Sequence, residues 1–158
     1  MAIRNVVVRG DELLAKKSRK VEVFDARLHT LIDDMIATMH KKEGVGIAAP
    51  QVGILRRVVI VEPDAEHTMT LVNPEILEYS GKAEGVEGCL SVPNVWGIVE
   101  RPTHVKVRAQ DRDGNTFEFE AEDFHARIVC HELDHLDGTL FVDRAIRLLD
   151  PDELEEDE

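Results

Sequence analysis

The sequence predicts an α+β fold: a single compact domain of short antiparallel β-sheets around a central helix that carries the run HELDH. Three observations predict it. A helical periodicity comes first, β-branched and alternating runs fill the middle, and a second helical stretch follows them. No repeat, low-complexity tract or linker divides the 158 residues, a length that fits one hydrophobic core.

From Ala26 to Lys42 the apolar residues fall at Leu28, Leu31, Ile32, Met35, Ile36 and Met39, the i, i+3, i+4, i+7 rhythm of a helix with one buried face. Asp25 can cap its start, and Gly44 lies just past its end. The glycine-rich GVGIAAPQVG reads as a tight loop. RRVVIVE and MTLVNPEILEY, separated by PDAEH, read as strands because β-branched side chains suit a pleated surface. HVKVRAQ and TFEFEAE alternate on either side of DRDGN, which reads as a hairpin. The last helix is expected from Ala121 or Asp123 through Leu136, with Gly138 as its stop. The domain is expected over residues 1–149, and residues 150–158, DPDELEEDE, read as a solvated acidic C-terminal tail.

A hydrophobic fraction of 43% and a charged fraction of 32% are those of a soluble globular protein. The formal net charge of −13 argues against a broad nucleic-acid or anionic-membrane surface, since both need clustered Lys and Arg. Direct nucleic-acid binding and membrane association are therefore not expected. MAIRNVVVRGDELLAKK lacks the apolar run of a signal peptide, so a cytoplasmic location is expected. In a reducing compartment Cys89 and Cys130 are better read as metal ligands or buried thiols than as a disulfide.

On a helix, His131 and His135 lie about 40° apart and one turn removed, so both imidazoles can reach one ion. Glu132 lies about 60° from His135, bordering that ion without having to bind it. HExxH thus supplies two neutral ligands and a carboxylate placed to take a proton from water activated at the metal. An ordinary polar helix face is the alternative. Cys130 sits about 140° from His135 and points elsewhere, which leaves a closed two-Cys, two-His zinc site unsupported. Cys130 instead packs with Val129, Leu133 and Leu136.

A third ligand is available at Cys89, in VEGCLSVPNVWG, with Pro93 ending the turn; an inert buried cysteine is the alternative. Three ligands and one open position would make a catalytic ion rather than a structural one. GVGIAAPQVG lacks the glycine-lysine spacing of a phosphate loop, but Gly46 permits close backbone approach and Gln51 offers an amide donor.

GVGIAAPQ, EGCLS and HELDH, in this order and at these separations, closely resemble the peptide deformylases, and the similarity runs from the first helix to LFVDR at Leu140. The resemblance implies one divalent ion on Cys89, His131 and His135, typically Fe2+, with Zn2+, Ni2+ or Co2+ able to replace it. It implies Glu132 as general base, and Gln51 with the backbone N–H of Leu90 as donors to the oxyanion. The implied reaction hydrolyses the formyl group from N-formylmethionyl nascent peptides. The substrate backbone would lie along Val45 and Gly46, and Phe124 and Ile128 would line the methionine pocket, with plain core packing as their alternative. Arg101 would support the substrate side of the cleft, or be simply solvated.

Two departures stand out. Cys130 replaces the glutamine of many members, at a position facing away from the metal. The acidic C-terminal residues replace the long basic helix by which some members dock near the ribosomal exit tunnel, leaving transient ribosome contact or diffusion as the route to nascent chains. The rival readings are an HExxH zincin-like peptidase and a catalytically inactive metal-binding relative. The first lacks a downstream His ligand, and the second has no use for Gln51 and Glu132.

Overall fold

The structure is a computed structural model that describes residues 2–150. In chain order its elements are a 3-10 turn (Glu12–Ala15), α1 (Ala26–Lys41), β1 (Gly46–Ala48), a second 3-10 turn (Ala49–Val52), β2 (Val58–Asp64), β3 (His67–Ser80), β4 (Ala83–Cys89), β5 (Val92–Arg101), β6 (His104–Gln110), β7 (Thr116–Glu122), α2 (Asp123–Leu136), α3 (Phe141–Arg144) and β8 (Arg147–Leu148).

The run Val58–Val61 organises them. All four side chains are fully buried, and strand alternation sends them to opposite faces. Val58 and Ile60 pack with Leu31, Ile32, Met35 and Met39 of α1. Val59 and Val61 pack with Val129, Leu133 and Leu136 of α2. A sheet covered on both faces explains why this strand reads as an unbroken apolar run. Its five strands are ordered β1-β2-β3-β6-β7 and each neighbouring pair is antiparallel. Burying Ile32, Met35 and Met39 contributes about 1.5–3 kcal/mol per side chain.

A second antiparallel sheet, ordered β4-β5-β8, covers Val92, Val99, Leu140 and Phe141. The α+β architecture with antiparallel sheets and the HELDH helix is therefore as expected.

The local signals act as their chemistry requires, with three corrections. Asp25 caps α1 by accepting from Leu28 N at 3.1 Å. The left-handed residue after α1 is Glu43, at φ 57°, and Gly44 follows it by donating to Met39 O. The expected tight loop GVGIAAPQVG instead contains β1, which pairs with β2, and a 3-10 turn over Ala49–Val52. Pro93 does not end a turn: it lies inside β5, beside the register shift between Glu87 and Cys89. Residues 151–158 of the expected acidic tail lie outside the described residues.

The N-terminal segment is tied to α1 by one carboxylate. Asp34 accepts from Ala2 N at 2.8 Å and from Arg4 Nε at 2.9 Å. The Ala2 amide, then Arg4, hold the Asp34 carboxyl below its ordinary value of 3.8 against the opposing effect of burial. A depressed folded-state pKa contributes stability above the unfolded value that is lost as pH falls through the folded one. Asp34→Asn is expected to destabilise the protein by about 1 kcal/mol at pH 7. Urea titrations should show that difference closing below pH 3.8; a difference independent of pH contradicts the tie.

Candidate active site

Two elements bring the site together. α2 carries His131, Glu132 and His135 on the face toward β1, and the end of β4 presents Cys89 opposite them. One ligand atom from each of Cys89, His131 and His135 lies within 4.8 Å of the others. Cys89 Sγ is 3.4 Å from His135 Nε2. A tetrahedral ion bound to sulfur at about 2.3 Å and to nitrogen at about 2.05 Å would hold those donors about 3.5 Å apart, so the observed spacing fits a metal.

The imidazoles are held differently. His131 Nδ1 donates to Glu87 Oε1 at 2.8 Å, which leaves Nε2 for ligation. Phe141 stacks on the His131 ring at 6.1 Å between centroids. Burial opposes charge on His131, but Glu132, Cys89 and Glu87 outweigh it and raise the imidazole to about 10. Burial, assisted by His131 and Arg101, lowers His135 to about 3, so it presents the neutral form that binds metal.

Glu132 is buried against the cleft, and its Oε1 has no hydrogen-bond partner. Burial raises its carboxyl to about 7, only partly offset by the attraction of His131. Gly46 makes this arrangement possible, because a side chain there would collide with the Glu132 carboxylate. The close approach foreseen at Gly46 is thus first an approach to Glu132. Gln51 is also buried. Its Oε1 accepts from Ala48 N at 2.9 Å, and its Nε2 donates to Ser91 Oγ at 3.1 Å and points at Cys89 Sγ from 3.5 Å.

Gln51, Cys89, His131 and Glu132 line a cleft of about 1070 Å³. Val45, Gly46, Leu90, Phe124 and Ile128 also line it. Phe124 is 53% exposed on the rim, whereas Ile128 is 4% exposed and belongs to the core as well as the wall.

Arg101 lies elsewhere. It is 4% exposed behind the ligands, where Nε and Nη2 donate to Glu87 at 2.9 and 2.8 Å and Nη1 to Asp134 at 2.6 Å. It is neither solvated nor part of the cleft lining. Arg127 Nη1 adds a third cationic contact to Glu87 at 2.7 Å. Burial alone would raise the Glu87 carboxyl, but Arg101 and His131 hold it well below the ordinary carboxylate range. Sequence reasoning missed Glu87, Asp134 and Trp96. The rim residue Trp96 packs against Gly88, where any side chain would strike its ring.

A cysteine sulfur and two imidazoles converging beside a buried carboxylate, in an α+β domain with an open cleft, define a metal-dependent hydrolase. Residues 3–150 match the polypeptide deformylase family model. The chain is 56% identical over 156 residues to peptide deformylase of Caldicellulosiruptor bescii, covering 99% of this chain and 93% of that one. Its structure resembles peptide deformylase from Thermotoga maritima with a TM-score of 0.90 at 38% identity, covering 93% and 100% of the two chains. It also resembles the Met-Ala-Ser-bound class I type b peptide deformylase of Acinetobacter baumannii, with a TM-score of 0.86 at 43% identity and coverage of 90% and 98%. The chain belongs to the peptide deformylase family. It is a hydrolase that removes the N-formyl group from N-formylmethionyl peptides of newly made proteins.

The two cysteines should differ chemically. Cys130 lies in the α2 core with Leu133 and Leu136, and burial pushes its thiol up to about 11. With metal removed by chelator, iodoacetamide at pH 8 is expected to alkylate Cys89 and to reach Cys130 only on unfolding. Peptide mapping checks this; modification of Cys130 in the folded protein contradicts it.

Proposed function

We propose that Cys89, His131 and His135 hold one divalent ion, Fe2+ by family resemblance, and that Glu132, Gln51 and the backbone N–H of Leu90 carry out the deformylation. A thiolate with two imidazoles also accepts Zn2+, Ni2+ or Co2+. When bound, the ion supplies a Lewis acid that acidifies water and polarises the formyl carbonyl. The observation that carries the reading is the buried Glu132 carboxylate, its Oε1 without a hydrogen bond, beside the three convergent donors Cys89, His131 and His135.

Nearby positive charge draws the raised Glu132 carboxyl back toward its ionised, proton-accepting form. Glu132 takes a proton from water as the water oxygen attacks the formyl carbon, then passes that proton to the departing amine when the C–N bond breaks. Formate and a free amino terminus result. Gln51 Nε2, its amide orientation fixed by Ala48 and Ser91, donates to the oxyanion together with Leu90 N–H.

The peptide runs between two sheet edges. β1 and β4 each end their sheet's strand order, and both edges line the cleft at Gly46 and Val86. An extended chain along Val45 and Gly46 adds as a strand there, its methionine against Phe124 and Ile128. Met-Ala-Ser bound to the Acinetobacter relative supports a peptide of this size as occupant. Arg101 acts without touching substrate: it holds Glu87, which orients His131. No helix among the described residues is long and apolar enough to cross a membrane; action on nascent chains in a bacterial-type cytoplasm is the reading that the family resemblance implies.

Formate release from formyl-Met-Ala-Ser by anaerobically iron-loaded protein tests the assignment. The wild type is expected to turn over, and Glu132→Ala to retain the metal with at least about a hundredfold lower kcat. Undiminished turnover by metal-replete Glu132→Ala removes Glu132 from the mechanism.

A further inference from the structure

Gln51 and Leu90, the two donors assigned to the oxyanion, come from different halves of the domain. Gln51 sits on the 3-10 turn that follows β1 of the five-stranded sheet, and Leu90 lies in the connection between β4 and β5 of the three-stranded one. Among the described residues no strand of one sheet pairs with a strand of the other, so no ladder of backbone bonds sets the distance between the donors. Gln51 Nε2 does reach across to Ser91 Oγ at 3.1 Å, but that is the nitrogen the oxyanion needs.

A third segment bridges the two halves through its main chain. Val7 N donates to Gln51 O and Arg9 N to Ser91 O, each at 2.7 Å. Two residues of chain span at most about 7 Å, so the carbonyls held by Val7 and Arg9 stay within a short, fixed reach of each other. Gln51 and Ser91 are both buried, which leaves these carbonyls no water to turn to if the bonds break. The segment is anchored at its other end on α1, by Ala2 N and Arg4 Nε to Asp34 and by Arg4 N to Thr38 Oγ1 at 2.9 Å. Past Arg9, Gly10 takes φ 106° and Asp11 N donates to Val8 O at 3.2 Å, which turns the chain away. Val6 and Val8 line the cleft, so the segment stands against the site itself.

We propose that Val7 and Arg9 are positioning residues, whose backbone amides brace Gln51 and the Leu90–Ser91 connection at the separation that serves the oxyanion. The brace rests on the assignment of Gln51 and Leu90 N–H as the oxyanion donors, and it touches neither of them directly: Val7 holds the main chain of the residue that bears one donor, and Arg9 holds the residue next to the other. Donors aimed in advance stabilise the tetrahedral intermediate because nothing has to reorganise as its charge develops. A misplacement of about 1 Å costs up to about a hundredfold in rate, so two backbone bonds away from the chemistry are enough to matter.

The test is a double-mutant cycle on formate release from formyl-Met-Ala-Ser by the metal-loaded protein. Val7→Pro removes the amide that holds Gln51, and Gln51→Ala removes the side chain it positions. Val7→Pro is expected to lower kcat about tenfold to a hundredfold with KM within about twofold. Once Gln51→Ala is in place, the same change is expected to cost less than about twofold, because the two act through one group. Asp34→Asn, which loosens the far end of the segment and leaves both bonds alone, is expected to lower stability and keep the wild-type kcat. If Val7→Pro does not fold, an amide-to-ester replacement at position 7 deletes the donor alone and takes its place in the cycle. An undiminished kcat in the folded Val7 variant, an equal loss with and without Gln51, or a matching loss in folded Asp34→Asn overturns the brace. An unimpaired Gln51→Ala overturns it by removing Gln51 from the reaction, and a wild type that releases no formate overturns it together with the deformylase reading.

Discussion

One buried carboxylate supports the site. Glu87 receives Arg101 through two bonds, Arg127 through a third and His131 through a fourth. Removing such a charge from water costs several kcal/mol, which only this density of donors offsets. The contacts tie β4, β5 and α2 together directly beneath the ligand cluster. Asp134 extends the network, accepting from Arg101 and from Arg144 of α3. The segment bearing Phe141, which stacks on His131, is thereby held to the same helix.

With α2 fixed from behind, its front can be left unsatisfied. Glu132 Oε1 is buried without a hydrogen bond, a costly condition for an isolated carboxylate. The fold maintains it by packing α2 against the sheet and by running a glycine of β1 across Glu132. Gln51 is constrained in a related way, with its oxygen occupied by Ala48 and its amide nitrogen turned toward Cys89. Structural rigidity lies behind Cys89, His131 and His135, and Glu132 and Gln51 face the cleft.

Much of this was legible in the sequence. α1, the β6–β7 hairpin and α2 announced themselves through periodicity and turn chemistry, and helix geometry put His131 and His135 one turn apart on the same side of α2. β4 and β5 were harder, because EGVEGCLSVPNVWG is rich in glycine and interrupted by Pro93. Its extended form depends on pairing between the two segments and on Trp96 packing over Gly88, neither of which leaves a local pattern. Glu87 was illegible for the same reason, and Arg101 was singled out for the cleft although it binds Glu87. A carboxylate in a polar strand looks solvated until distant elements bring it a histidine and two arginines.

The central claim is that Glu87 fixes His131 as a ligand, and its most direct test is the zinc affinity of Glu87→Gln and Arg101→Met by competition with a chromogenic chelator. The account predicts binding about 10–100-fold weaker in both variants, with circular dichroism showing the fold retained. Folded variants that bind zinc as tightly as the wild type would contradict it.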